Sequence, residues 1–309
     1  MADPLSRDKY YTEHRIPKPN GGVRILHEPC EPLKTIQRKL AHSLRIWDSM
    51  PSSLAYKWKP VMSCYSKLKQ AHGGTPFMMK VDIKDFFPSI KPNMVGQMTI
   101  SNRGISYVIA ETGIPIIELT TMTDRLPQGA PTSPIISNLI MRNIDIRMEK
   151  YMRRHHRFAY TRYADDIHMS LGRENIHNRS SFDKAYKFLM TVIYPHLKRM
   201  LRKKGMFLNY SKTRKMFKNS NKICALGMVL NERDKEGIGR KEYNRYRGWI
   251  HQILTRDHTQ AEVDRLQGQL SHVYHVDPTI YNKLVADKYN AIIISILRAG
   301  STRKIPEPV

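Results

Sequence analysis

The sequence has little that would cross-link the protein or anchor it in a membrane. Its three cysteines, Cys30, Cys64 and Cys224, lie far apart and form no Cys-x-x-Cys pair. This spacing argues against a disulfide framework and a structural zinc site, and it favours a reducing compartment. The N-terminus is polar, and the longest apolar run, residues 291–297, is far shorter than the about 20 residues that span a bilayer. We therefore expect a cytoplasmic protein without a membrane partner.

Acidic residues are also scarce, and this scarcity indicates the kind of partner. The chain has 52 Lys and Arg against 27 Asp and Glu, which gives a formal net charge of +25. Basic side chains on nucleic acid release condensed counterions, so this charge favours a polyanion. Binding to acidic lipid would need a basic cluster beside an amphipathic segment, whereas these basic residues are spread along the whole length. The sequence therefore predicts a nucleic-acid-binding protein.

The first half of the chain alternates strand-like and helical patterns. Residues 14–29 contain two short apolar runs around an Asn-Gly-Gly turn, which is typical of a β-hairpin. Apolar residues at helical spacing predict a helix over about 33–47. Residues 77–90 begin as a strand and end at a proline, and a helix follows the next Gly/Pro turn, with Ser133 as its expected N-cap.

The second half continues this mixed pattern and ends in helices. Residues 158–170 predict a second hairpin, and a long helix is expected over about 182–204. The segment CALGMVLNE, which begins at Cys224, is strand-like, and three helices are expected after residue 240. Together these patterns predict an α+β fold with a helical C-terminal part.

Three aspartates, Asp82, Asp165 and Asp166, lie in strand-like segments where Asp is disfavoured. Adjacent carboxylates repel each other and are costly to bury, and Mg²⁺ compensates such charges because it binds carboxylates, water and substrate phosphates. Neighbouring strand residues point to opposite faces, so the adjacent pair reaches one site only at a hairpin tip. Two Mg²⁺ ions there would activate an attacking 3′-hydroxyl and steady a leaving pyrophosphate. A solvated turn is the competing interpretation of an isolated Asp-Asp pair.

Five segments resemble motifs of reverse transcriptases. Motifs A, B and C of that family are similar, in order and spacing, to FMMKVDIKDFFPSI, LPQGAPTSPIISNLI and RYADDIHMS. The bacterial fingers motif resembles IPKPNGGVRILHEP, and the motif after the catalytic hairpin resembles LNYSKTRKM. The resemblance covers about residues 10–300.

Among bacterial enzymes the chain looks most like a retron-type reverse transcriptase. Its compact length fits, and GIGRKEYNRYRGWIHQIL resembles the retron region that grips a noncoding RNA. Two elements depart from the retron pattern. His72 is kept in SKLKQAHGG without the usual upstream asparagine, and Ala225-Leu226-Gly227 stands where retrons carry Val-Thr-Gly.

The resemblance implies a right-hand polymerase. Its parts would be fingers (1–75), a palm with an antiparallel sheet and inserted fingers elements (76–225), and a helical thumb that recognises RNA (226–309). It implies RNA-directed DNA synthesis from dNTPs with two Mg²⁺ ions in a bacterial cytoplasm. In a retron, a cognate structured noncoding RNA supplies the template and primes from an internal 2′-hydroxyl, giving branched multicopy single-stranded DNA. A role in anti-phage defence with a separately encoded effector protein is also implied.

By the same resemblance, the three aspartates are the catalytic metal ligands, and Phe87 is a steric gate that excludes the ribose 2′-hydroxyl. The backbone amides of Asp85 and Phe86 are expected to hold the triphosphate, which needs donors rather than a particular side chain. If this segment is a strand, Phe86 and Phe87 point to opposite faces, so at most one is the gate. The alternative is that both rings are core.

Further nucleotide contacts follow from the fingers, B and post-catalytic motifs. Lys18 and Arg24 match basic fingers residues that bind the triphosphate, although they also fit exposed hairpin charges. Gln128, followed by Gly129, lies in the turn that supports the template–dNTP pair. Lys212 matches a lysine proposed to protonate pyrophosphate, and a surface lysine is the competing interpretation.

The helix after residue 240 combines charge with aromatic planes, a mixture that binds unpaired RNA bases. Its apolar stripe is expected to face inward, which leaves four basic residues as RNA contacts: Arg240, Lys241, Arg245 and Arg247. His72 and the pair His155-His156 are interpreted as surface or nucleic-acid contacts rather than metal ligands.

Two other functions remain open. The first is another bacterial reverse transcriptase, of abortive-infection or group II intron origin. The second is an RNA-binding scaffold that restrains a toxin without synthesis, which the intact set of three acids argues against.

Overall fold

The computed structural model describes most of the chain as helices, strands and short connections. The described residues are 7–18, 21–45, 50–57, 62–100, 115–155, 158–172, 176–220, 222–230 and 237–286. The chain divides into two compact units, Met1–Pro60 with Met79–Lys215, and Val61–Met78 with Met216–Val309. The predicted boundaries of fingers, palm and thumb remain predictions. Among the described helices, none combines the length and the apolar character needed to cross a bilayer.

The elements are a mixture of strands and helices up to residue 229, and in the described residues after that, 237–286, they are helices. The strands are β1 (Tyr11–Pro17), β2 (Val23–Pro29), β3 (Phe77–Ile83), β4 (Phe158–Tyr163), β5 (Asp166–Leu171), β6 (Leu208–Phe217), β7 (Cys224–Ala225) and β8 (Met228–Val229). The helices are α1 (Glu31–Leu44), α2 (Cys64–His72), α3 (Phe86–Ser89), α4 (Pro92–Ile100), α5 (Ile116–Thr120), α6 (Ser133–Arg154), α7 (Arg179–Phe188), α8 (Tyr194–Lys203), α9 (Arg240–Thr255), α10 (Gln260–Val276) and α11 (Pro278–Ala286).

A four-stranded sheet with the order β4-β5-β3-β6 carries the acidic residues. Its β4 and β5 form an antiparallel hairpin in which Tyr163 pairs with Asp166, so the loop is only Ala164-Asp165. Both predicted hairpins are thereby confirmed, since β1 and β2 also pair antiparallel. In β3 every residue except Lys80 is buried, as expected for a central strand that is covered on both faces.

Two local expectations for the first unit can be compared with the structure. Residues 77–90 begin as a strand, as predicted, but the strand ends at Ile83 and Phe86–Ser89 is a short helix. The turn between them uses Asp85 at φ +46°, a left-handed conformation that ends extended structure. The N-cap position of α6 is Thr132, whose side chain makes no capping hydrogen bond, and Ser133 is the first helical residue, with its hydroxyl donating to the Pro127 carbonyl at 2.5 Å.

Two further segments differ in detail from the pattern. The long helix predicted over about 182–204 runs from α7 to α8, with a π-helical turn, Leu189–Ile193, between them. This wider turn changes which side chains share a face, and Val192 is exposed. The strand-like segment at Cys224 is a tight hairpin, because Leu226 and Gly227 both have positive φ.

The second unit has a helical core, and the three expected helices after residue 240 are present as α9, α10 and α11. Helix α9 buries Tyr246, Ile250 and Ile253, whereas Tyr243 and Leu254, the other two members of the predicted stripe of Tyr243, Tyr246, Ile250 and Leu254, are half-buried. The interpretation of His72 as a surface contact is wrong, since it is only 1% exposed. Burial lowers the pKa of His72 to about 3, so it is neutral at physiological pH and supplies no charge for RNA.

Candidate active site

The three predicted acids converge where β3 meets the tip of the β4–β5 hairpin. Asp82 is the penultimate residue of β3 and is 5% exposed. The amide of the next residue, Ile83, donates to the carbonyl of Asp165 at 3.0 Å, which fixes the strand end beside the turn. Asp165 lies in the loop and Asp166 begins β5. The hairpin therefore places both adjacent carboxylates next to the third, as the alternation of strand side chains required.

The electrostatics of the loop reflect this crowding. Burial raises the pKa of the Asp165 carboxyl, and the negative charges of Asp166 and Asp82 raise it further. Backbone hydrogen bonding and the ammonium of Lys212 oppose this shift. The ionised form of Asp165 is therefore held in an unfavourable environment, which a bound cation would relieve.

Two lysines balance part of the negative charge. The Nζ atom of Lys80 is 2.6 Å from Asp166 Oδ2, and the Nζ atom of Lys212 is 3.2 Å from Asp82 Oδ2. In the described part of the chain, no three His, Cys, Asp or Glu side chains stand in a ready-made metal arrangement. The donor chemistry nevertheless fits a hard divalent cation, because Mg²⁺ prefers carboxylate oxygens and the Asp165 carboxyl lies within electrostatic range of Asp166 and Asp82.

A buried hydrogen-bond network supports the β4–β5 hairpin, and the sequence pattern did not predict it. The guanidinium of Arg162 lies 2.7 Å from Asp145 Oδ2, and both side chains are fully buried. Arg162 also donates to Asn138 Oδ1 and to Ser53 Oγ, each at 3.2 Å. Its Nη1 donates to the carbonyl of Ala164 at 3.1 Å, the loop residue before Asp165.

The same network includes a second donor to the Asp145 carboxyl group. The Tyr160 hydroxyl donates to Asp145 Oδ1 at 2.7 Å. Ala164 has φ +54°, a conformation that a non-glycine residue adopts only with support, and the Arg162 contact supplies it. The sequence shows only an arginine in a strand-like segment and an aspartate in an apolar helix. Their pairing could not be predicted, because no local sequence spacing links the two residues.

The segment after Asp82 contains three residues that were predicted to contact the nucleotide, Asp85, Phe86 and Phe87. Phe86 is 4% exposed and belongs to the core, whereas Phe87 is half-buried. Their ring centroids are 5.5 Å apart, and both residues lie in α3. The argument from strand alternation is therefore wrong, because the residues follow a helical turn. Phe87 is the more accessible ring and stays the predicted gate; the roles of the Asp85 and Phe86 amides also remain predictions.

The first hairpin is tied directly to the turn of the B motif. The His27 amide donates to the Gln128 carbonyl at 2.7 Å. Gly129 has φ +119°, and a Cβ atom there would lie 3.2 Å from the His27 carbonyl oxygen. Only glycine fits this close approach without strain. Lys18 and Arg24 are exposed on this hairpin, one at its turn and one in β2.

Tyr56 is a residue of this region that the sequence analysis missed. It has φ +63°, which is uncommon outside glycine and often marks functional positions. Burial raises the pKa of its phenol to about 12, and the charges of Asp165 and Arg24 both act on it. Tyr56 is therefore a protonated donor within electrostatic range of the acids and of the first hairpin. Its local sequence gives no signal of this.

The four predicted RNA contacts lie in the second unit and are exposed on α9. Arg245 Nη2 is 2.6 Å from Glu242 Oε2, and its guanidinium stacks over the Tyr246 ring at 5.0 Å. Arg240 and Lys241 begin the helix, and Arg247 lies about two turns later. Their role in RNA binding stays a prediction, as does that of Arg245.

Comparison with known proteins identifies the family. Residues 16–230 match the family profile described as reverse transcriptase (RNA-dependent DNA polymerase). The chain belongs to the reverse transcriptase family. Reverse transcriptases use divalent metal ions, which agrees with the oxygen donors that meet at Asp165.

Similar proteins include two retron reverse transcriptases. The retron Mx65 enzyme of Myxococcus xanthus is 28% identical over 89% of this chain and 63% of its own length. The retron Ec86 enzyme of Escherichia coli is 29% identical over 86% of this chain and 76% of its own length. The chain thus spans 63% and 76% of the lengths of these two relatives, and the predicted resemblance to retron reverse transcriptases is confirmed.

A solved structure shows the same fold at low identity. Apo telomerase from Candida tropicalis superposes with a TM-score of 0.52 at 13% identity, over 98% of this chain and 60% of the telomerase chain. The predicted α+β class with antiparallel strands is confirmed at this level, as a reverse transcriptase fold of mixed helices and sheets.

Proposed function

We propose that this reverse transcriptase is a retron-type RNA-directed DNA polymerase with a right-hand architecture. It copies a cognate structured noncoding RNA into branched multicopy single-stranded DNA. The observation that carries the proposal is the convergence of Asp82, Asp165 and Asp166 at one hairpin tip, inside a domain of this family. The retron assignment draws on the two similar retron enzymes. A bacterial cytoplasm and a separately encoded effector in anti-phage defence belong to the same proposal.

The three carboxylates would hold two Mg²⁺ ions. When bound, these ions lower the pKa of an attacking hydroxyl and neutralise charge on the leaving pyrophosphate. Lys80 holds the Asp166 carboxylate in place, and Arg162 holds the Ala164 carbonyl and hence the loop. These contacts fix the geometry before substrate arrives, which is the main protein contribution to phosphoryl transfer.

Other side chains position the nucleotide. Lys18 and Arg24 neutralise the triphosphate, and Arg24 supplies a bidentate donor. Phe87 lies beneath the sugar and excludes a 2′-hydroxyl. Tyr56, whose raised pKa keeps its phenol protonated, is a neutral donor within electrostatic range of Arg24 and Asp165, so it orients the nucleotide without adding charge.

Phe87→Ala is expected to admit ribonucleotides. Removing the ring opens the space that a 2′-hydroxyl would need, so the preference for dCTP over CTP falls by about 10- to 200-fold. Single-nucleotide extension of a DNA primer on an RNA template gives kcat/KM for each nucleotide. The matched control is Phe207→Ala, since that ring is 58% exposed and has no assigned contact with nucleotide. An unchanged preference in Phe87→Ala would remove Phe87 as the gate.

Lys212→Ala is expected to slow the chemical step without unfolding the protein. Its ammonium lies 3.2 Å from Asp82 Oδ2 and its side chain is 62% exposed, so it can donate a proton to pyrophosphate. Loss of a general acid lowers the single-turnover rate by about 100-fold or more, whereas loss of an exposed ion pair costs at most about 1 kcal/mol. Lys215→Ala, on the same strand, is the control. A rate equal to that of the control would make Lys212 a surface lysine.

The retron assignment is tested by its product. Expression of the chain with its flanking genomic DNA is expected to yield a small nucleic acid that contains DNA and is shortened by RNase. Sequencing then finds one discrete branched species. A heterogeneous population of unbranched DNA would indicate another kind of bacterial reverse transcriptase. Protection against phage that persists in Asp165→Asn would indicate the scaffold alternative.

A further inference from the structure

The second unit contains a pocket in which Arg245 is the one lining residue with a role proposed so far. It lies between α9 and α10 and has a volume of about 580 Å³. Pockets that hold small ligands measure about 300–1,000 Å³, so one nucleotide fits. Of the four basic residues predicted to bind RNA, Arg245 lines the pocket and the other three do not.

One wall of the pocket is a stacked pair. The guanidinium of Arg265, on α10, lies over the Trp249 ring of α9 at 5.6 Å from its centroid. Unpaired bases stack on tryptophan and on arginine planes, and such stacking tolerates any base. The pair therefore offers an extended flat surface rather than a cavity for an aliphatic group.

The remaining wall is polar and ordered. The side-chain amides of Asn244, Gln252 and Gln269 line it, and each amide offers both donors and an acceptor. The Tyr246 hydroxyl donates to Gln269 Oε1 at 3.0 Å, which orients that amide. Amides in such number suit the polar edge of a base better than an apolar side chain.

A glycine at the centre of α9, Gly248, leaves the helix backbone accessible from the pocket. Gly248 is an exposed residue in the middle of a helix, where glycine is the least favoured residue after proline. A Cβ atom at Gly248 would meet nothing within 4 Å, so packing within the protein does not require glycine. Gly248 lines the pocket, and a missing side chain lets a bound group approach the helix backbone.

The charges favour one phosphodiester over a triphosphate. Two arginines line the pocket, Arg245 and Arg265, together with one carboxylate, Glu262. Arg245 is already paired with Glu242, and Glu262 accepts from Arg256 at 3.0 Å. This small excess of positive charge suits a single phosphate. The other exposed basic residues of α9 offer positive charge to the neighbouring phosphates of a polyanion.

We propose that this pocket holds one unpaired nucleotide of an RNA loop. The base stacks on the Trp249–Arg265 pair, its polar edge meets the amides, and Arg245 contacts the phosphate. The inference rests on the proposed RNA partner and adds the chemistry that selects unpaired RNA. A free nucleotide would share this chemistry, so the experiment separates the two sources.

The test compares two glycines of matched environment. Gly248→Gln fills the pocket, while Gly268→Gln, in the middle of α10, places the same side chain where a Cβ atom also meets nothing and outside the lining of this pocket. The probe is a fluorescein-labelled RNA hairpin with an eight-nucleotide randomised loop, measured by anisotropy on the full chain. Gly248→Gln and Trp249→Ala are expected to weaken binding at least tenfold, and Gly268→Gln to bind within twofold of the wild type. Both glutamine variants should melt no lower than the wild type.

Three results would overturn the pocket assignment. The first is equal affinity of both glutamine variants for the hairpin. The second is an equal loss of affinity for the hairpin and for a blunt duplex of the same stem. The third is displacement of the hairpin by AMP at micromolar concentration. Extension of oligo(dT) on poly(rA) separates this inference from the proposed function. A wild-type chain that fails to extend the primer contradicts the polymerase, while the binding difference between the two glutamine variants still decides the pocket.

Discussion

Asp165→Asn is expected to abolish DNA synthesis while leaving RNA binding intact. The substitution keeps the shape of the side chain and removes one charge from the three carboxylates that would hold the metal ions. Metal ions supply several kcal/mol of charge stabilisation, and each 1.36 kcal/mol is tenfold in rate, so the loss is on the order of 1,000-fold or more. Extension of oligo(dT) on poly(rA) measures it, and Asp183→Asn, an exposed acid paired with Arg179, is the matched control.

The same variant is expected to melt at a higher temperature. The pKa of Asp165 is raised in the folded protein, so its ionised form opposes folding at every pH above that raised value. The asparagine removes this opposition at pH 7, and the gain shrinks as pH falls through the folded pKa and vanishes below the ordinary carboxyl value of 3.8. Melting in EDTA at pH 7 and pH 5 measures the difference without stabilisation by metal. A lower melting temperature at pH 7 would contradict the crowding of charge at this site.

Arg162→Met is expected to cause the largest loss of stability of any substitution near the site. It leaves the Asp145 carboxyl group buried without its ionic partner, and breaking a buried pair in this way costs about 3–5 kcal/mol. The whole stability of a domain is about 5–15 kcal/mol, so much of the protein would be unfolded at 37 °C. Urea unfolding measures the loss. Arg179→Met is the control, because that pair is exposed, at 88% and 56%, and is worth about 1 kcal/mol or less.

A double variant separates folding from positioning. Arg162→Met with Asp145→Leu removes both charges, and replacement of a buried pair by apolar residues is often neutral. We expect the double variant to regain most of the lost stability. Synthesis stays low, because the Ala164 carbonyl has lost the donor that holds the loop before Asp165. Recovery of full synthesis would show that Arg162 serves stability alone.

The acidic site could be predicted because its signals are local. Two adjacent aspartates in a run of β-prone residues can direct their side chains to one site only if the run folds as a tight hairpin. The structure has this hairpin, with the loop Ala164-Asp165. The strand that carries Asp82 was equally clear, since β3 is a short apolar run that is buried almost throughout. The family motifs supplied their order along the chain.

The supporting contacts could not be predicted because they join distant parts of the chain. Arg162 meets Ser53 and Asp145 only in the folded protein, and no local spacing links these residues. Tyr56 has a positive φ that its sequence does not require. His72 carries no apolar signal, yet the packing of its unit buries it completely enough to keep it neutral.

Local errors arose where a side chain or a backbone turn competed with the expected pattern. Ser133 is a good N-cap residue, but it is the first helical residue of α6, where its hydroxyl donates to the Pro127 carbonyl, and Thr132 occupies the N-cap position. The two phenylalanines after Asp85 follow a helical turn, because Asp85 adopts a left-handed conformation that ends the strand. Such choices depend on free-energy differences smaller than sequence patterns resolve.

The convergence of the three aspartates on divalent metal is tested most directly by local cleavage. Fe²⁺ substituted for Mg²⁺ produces hydroxyl radicals in the presence of ascorbate and peroxide, and these cut the backbone within a few ångströms of the bound ion. Our account predicts cuts at the end of β3 near Asp82 and in the loop at Asp165, both suppressed by excess Mg²⁺ and lost in Asp165→Asn. Cuts confined to other segments, or cuts at these two places that persist in Asp165→Asn, would contradict it.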